Sequence, residues 1–117
     1  MHLSPVHLAN HFSKHEFQLV YPHLSEHVQW TLVGEKLLTG KRAVIDGCEQ
    51  SLQYLAGVTT TFTRFKVIAE GNDVVIDSIA EYLDKNNQVS TIASCDIYHF
   101  EEGRLTEITS YCFELNK

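Results

Sequence analysis

The strongest constraint on this chain is the rhythm of its second half. Four β-rich runs, residues 59–69, 74–83, 89–100 and 104–113, are separated only by Gly71-Asn72-Asp73, Lys85-Asn86-Asn87-Gln88 and Glu101-Glu102-Gly103. Connections this short join antiparallel neighbours, because a parallel crossover needs a dozen or more residues. The second half therefore reads as a four-stranded antiparallel meander. Such a sheet needs something to cover its apolar face, and the first half supplies helices.

Ser4 and Pro5 form an N-cap and first helical position, and Leu8 and Phe12 give an i, i+4 contact in a helix that runs to about Ser13. A second short helix is expected over residues 16–21, with Phe17 and Val20 apolar, before Pro22 stops it. Val28, Trp30 and Leu32 alternate with polar residues as a strand ending at Gly34. From Lys41 the spacing of Val44, Cys48, Leu52 and Leu55 is helical, and Gly57 is placed to end that helix in a left-handed conformation. Helices followed by hairpins define an α+β fold, and nothing in the 117 residues marks a place to divide them, so one domain over residues 1–117 is expected.

Composition narrows the function classes. A net charge of −6 without a basic cluster argues against nucleic acid and against an anionic membrane surface. No stretch approaches the length of a membrane span. The opening Met-His-Leu-Ser-Pro-Val-His lacks the basic start and apolar run of a secretory signal, and Cys48, Cys95 and Cys112 are odd in number without CxxC spacing. Both features fit reduced thiols and a cytoplasmic location. Dinucleotide and P-loop patterns are absent, so no cofactor is indicated. His7, His11 and His15 recur at i, i+4 and i+8, a spacing that can stack imidazoles for a metal. Without an accompanying HExxH glutamate, and beside the Leu8 and Phe12 stripe, they read better as a solvated or half-buried helix face.

Two stretches carry a resemblance. Residues 28–40, with one tryptophan and two glycines, and the segment Cys-Asp-Ile-Tyr-His-Phe-Glu-Glu-Gly-Arg-Leu-Thr-Glu-Ile from Cys95 to Ile108 resemble the SnoaL-like branch of the nuclear transport factor 2-like superfamily. The resemblance implies a cone: a strongly curved antiparallel sheet with the N-terminal helices in its concave face, a pocket at the open end, and frequent dimerisation through the outer sheet face. Members include ketosteroid isomerases, scytalone dehydratase, limonene-epoxide hydrolases and polyketide cyclases, so the fold leaves the chemistry open.

Aligning the terminal hairpin with the ketosteroid isomerase pattern puts even-numbered residues inward: Val74, Ile76, Ser78, Ala80 and Tyr82; Ile92, Ser94, Asp96 and Tyr98; Ile108, Ser110 and Cys112. Trp30 and Leu32 join them. Small residues among large ones leave room for a small apolar organic molecule, with Trp30, Leu32, Ile76, Ser78, Ala80, Tyr82, Ser94, Tyr98, Ile108, Ser110 and Cys112 as candidate contacts. Asp96 matches the isomerase position whose carboxylic acid donates to an oxyanion, and burial would suit it to act as a neutral donor or as a base of raised pKa. The positions of that family's phenol donor and general base are Leu8 and Leu32 here, so steroid-type isomerisation is not expected. Odd-numbered Val75, Ile79, Leu83, Ala93, Cys95 and Ile97 make the outer face apolar, which suits a homodimer. A non-catalytic dimerisation or partner-binding module is the alternative to an acid/base enzyme.

Overall fold

The computed structural model describes residues 3–115. Helix α1 (Pro5–Ser13) begins as the Ser4-Pro5 pair dictates: Ser4 is extended, and its hydroxyl accepts from the His7 N–H at 3.3 Å. Leu8, Ala9 and Phe12 are buried. The helix stops at Ser13, and His15 takes a left-handed backbone with φ of +65°, closed by His15 N–H to Phe12 O at 3.0 Å. The expected second helix is instead a pair of 3-10 turns, Phe17–Leu19 and Tyr21–His23. Pro22 has no N–H to donate, and two tight turns serve where a full helical turn cannot continue.

Strand β1 (Leu24–Leu32) starts earlier than its alternation shows and pairs through a hairpin with β2 (Lys36–Thr39), which the sequence reading omits. Helix α2 (Lys41–Leu55) follows, and Gly57 just beyond it has φ of +79°, the left-handed exit its position requires. The four strands of the meander are β3 (Thr59–Glu70), β4 (Asp73–Leu83), β5 (Val89–Glu101) and β6 (Arg104–Glu114). They extend by only a residue or so beyond the expected bounds.

All six strands form one curled sheet in the order β2-β1-β6-β5-β4-β3. The β1–β6 pairing is parallel, so the first strand closes beside the last and the meander becomes a wrapped wall. Helix α1 lies across β4 and β5, and α2 packs on β1 and β2. Together they pack onto the concave side around a core of Leu8, Phe12, Val28, Val44, Ile76, Tyr98, Phe100 and Leu105. Among the described residues, no helix is long and apolar enough to cross a membrane.

Two irregularities change which face a side chain takes. In β3 the register shifts between Phe62 and Arg64, so Phe62 before the bulge and Phe65 and Val67 after it are the less exposed residues. In β6 Phe100 pairs with Leu105 while His99 pairs with Glu107, which leaves Thr106 extra. Leu105 is therefore fully buried although odd-numbered, and the Thr106 hydroxyl donates to His99 O at 3.1 Å. Truncating Leu105 to alanine should cost about 2–5 kcal/mol of unfolding free energy, measured by urea denaturation. A loss of under about 1 kcal/mol would contradict its place in the core.

Candidate functional site

The concave side is not completely filled. An open cavity of about 710 Å³ lies between the end of α1, one face of α2 and the inward faces of β1 and β3–β6. Its wall includes Trp30, Leu32, Ser78, Tyr82, Ser94, Asp96, Ser110 and Cys112, all expected from strand alternation. Ile76, Ala80, Tyr98 and Ile108 face the same way but are buried in the core and do not line the cavity. Ile92, also expected to face inward, joins this wall, and residues from outside the expected set complete it, among them Phe12, Ser13, His15, Phe17, Leu38 and Phe62. Phe62 reaches it from the part of β3 before the bulge, opposite Ala80, and Ser13 and His15 through the early end of α1.

Asp96 is the centre of a hydrogen-bond network. Ser13 Oγ donates to Asp96 Oδ2 at 3.0 Å and lies 2.6 Å from the buried Tyr98 hydroxyl. Ser110, the cross-strand partner of Asp96, also hydrogen-bonds to the carboxyl, and its oxygen accepts from Trp30 Nε1 at 2.9 Å. Proton counting fixes the direction of these bonds. An indole N–H only donates, so the single Ser110 proton is free for Asp96. The single Ser13 proton goes to Asp96, so Tyr98 donates to Ser13. Two hydroxyls thus point their hydrogens at the carboxyl, each held there by a second donor.

Burial pushes the Asp96 pKa above the usual carboxylate range, and the bonds from Ser110 and Ser13 oppose this without reversing it. Part of the residue remains accessible, and its place on the wall turns that part to the cavity. Burial raises the phenols of Tyr98 and Tyr82 and the Cys112 thiol, with Asp96 adding to each. At neutral pH none of these three carries charge.

The three N-terminal histidines separate. His7 Nδ1 lies 2.8 Å from Ser4 Oγ, and His11 Nδ1 lies 2.9 Å from Glu16 Oε1. His15 turns into the cavity, its ring 6.0 Å from Tyr82, 5.8 Å from Phe17 and 6.4 Å from Phe62. Because α1 ends at Ser13, the i+8 member never joins the stripe. Burial lowers its pKa and keeps the imidazole neutral at pH 7. Leu32 is on the wall and Leu8 is in the core.

The family model for the SnoaL-like domain matches residues 7–108. Among solved structures, an NTF2-like protein of unknown function from Cytophaga hutchinsonii is 34% identical, with a TM-score of 0.80 over 91% of this chain and 93% of that one. A candidate polyketide cyclase from Xanthomonas campestris shares the fold at 16% identity and a TM-score of 0.71, covering 89% of this chain and 83% of its own. An LEH-like epoxide hydrolase from M. tuberculosis does so at 16% identity and 0.68, covering 93% and 82%. No curated protein matches the chain.

The raised Asp96 pKa has a consequence for stability. The folded state holds the Asp96 proton more tightly than the unfolded chain, so this group's contribution falls as pH rises from the unfolded value through the folded one. Asp96→Asn should therefore melt at a higher temperature than wild type at pH 7, with the gain vanishing below about pH 4. A lower melting temperature at pH 7 would contradict this account.

Proposed function

The chain belongs to the SnoaL-like domain family, and from its cavity we propose that it binds a small, mostly apolar organic molecule and performs acid/base chemistry on it through Asp96. The observation that carries this reading is a carboxyl of raised pKa on the wall of a cavity of about 710 Å³ that is otherwise mainly hydrocarbon and hydroxyl. A carboxyl shifted toward neutrality exchanges protons more readily under physiological conditions than an ordinary aspartate. Isomerisation, cyclisation, dehydration and hydrolysis each move a proton in this way. The cyclase-like and hydrolase-like proteins of the same fold support a small-molecule role. Tyr98 acts as a positioning residue in this reading, since it holds Ser13 and does not line the cavity, while Trp30 both holds Ser110 and lines the wall, and His15 is a further titratable group there.

The outer face favours a homodimer as part of the same reading. Val75, Ile79, Ala93 and Cys95 are half-buried there, and Leu83 and Ile97 are 38% and 36% exposed, an apolar strip suited to a second copy. The same strip supports the second reading, a dimerisation or partner-binding module without catalysis. All three cysteines are free, which suits a reducing compartment such as the cytoplasm.

A thermal-shift screen of apolar fragments tests the pocket. Binders should raise the melting temperature of wild type, and Ser94→Phe, which places a ring on the cavity wall, should weaken them at least about tenfold. Binding undiminished in that variant would place the ligand elsewhere. Sedimentation at micromolar concentration should show a dimer, and a monomer there would remove the proposed interface.

A further inference from the structure

The site has an unbalanced charge that bears on what it binds. Among the described residues, Asp96 takes part in no ion pair, and the groups that touch it are the neutral hydroxyls of Ser13 and Ser110. The Ser13 and Ser110 hydroxyls bond to it without bringing charge, and the carboxyl lies on the cavity wall with part of the residue accessible to a ligand. The titratable groups around it add no positive charge. Tyr82 on β4, Tyr98 and Cys95 on β5 and Cys112 on β6 all have raised pKa values, and His15 beyond α1 is held neutral. Elsewhere in the lining, Glu35, Asp84 and Glu114 outnumber Lys36.

We propose that the cavity selects an apolar amine: an organic cation whose ammonium group meets Asp96 while its hydrocarbon part fills the aromatic and aliphatic wall. This rests on the small-molecule reading of the same cavity and narrows it. A half-desolvated carboxylate without a cation is unfavourable, and a ligand that brings the cation removes that penalty while its own charge is hydrogen-bonded. The rings of Phe12, Trp30, Phe62 and Tyr82 on the wall present faces or edges to the same space, and aromatic faces attract ammonium groups. The Trp30 ring is fixed for this, since its N–H is committed to Ser110. The net acidic lining concentrates cations and repels carboxylates. A bicyclic hydrocarbon with a one-carbon arm is well within a cavity of about 710 Å³.

The test compares three probes of one shape, naphthylmethylamine, naphthylmethanol and naphthoate, by calorimetry on the full chain at neutral pH. The amine should bind at least about tenfold tighter than the alcohol, and naphthoate should bind weakest. Asp96→Asn, checked for folding by circular dichroism, should erase the amine's advantage. On wild type, a carbon-13 titration of the Asp96 carboxyl should move its midpoint to lower pH when the amine is bound, because a nearby cation favours the charged form. That readout does not depend on the variant folding. Alcohol binding as tightly as amine, an advantage that survives Asp96→Asn, or an unmoved midpoint would overturn the amine preference and leave the small-molecule pocket standing. Failure of all three probes at millimolar concentration would overturn both.

Discussion

The hydroxyl of Ser13 is the joint on which this structure turns. It ties the last turn of α1 to two residues of β5 that stand on the same face, Asp96 at 3.0 Å and Tyr98 at 2.6 Å. Tyr98 is fully buried and would leave a phenol without a partner if the helix shifted, which costs of order 1–3 kcal/mol. The helix therefore cannot slide along the sheet without losing both bonds. Its fixed end sets the depth of the cavity and determines that His15, two residues later, looks inward.

How much of this is legible in the sequence depends on the range of the interaction. The long strands are legible because polar turns punctuate them and their alternation is local. The short β2 escapes notice because four residues with two adjacent leucines show no period. The inward face of β4, β5 and the later part of β6 follows from the terminal hairpin, whereas the bulge in β3 and the extra Thr106 reverse parity where no residue type announces it. Parity also cannot separate wall from core. Ile76, Ala80, Tyr98 and Ile108 share their faces with cavity residues, and only the way α1 lies across the sheet decides which are covered.

The same limit applies to the site itself. Asp96 stands out locally, an acid among apolar and aromatic neighbours. Its partner Ser13 is 83 residues away and is an ordinary small polar residue at a helix end. His15 is legible as one of three evenly spaced histidines, but its role follows from the helix ending two residues earlier, and boundaries are what periodicity fixes least well. The family match covers most of the chain and explains the cone, while a fold by itself leaves the chemistry open, so the chemistry lies in particular side chains.

The bulge in β3 has a further consequence. At twelve residues, β3 is the long free edge of the sheet, and an unbroken edge of that length is a template for growth by strand addition from one molecule to the next. The register shift after Phe62 interrupts its ladder, and Arg64 and Lys66 place cationic side chains along it. The opposite edge, β2, is only four residues long. Both rims of the cone are thus guarded against fibrous assembly, and a chain guarded in this way can keep a broad apolar sheet face in water without polymerising.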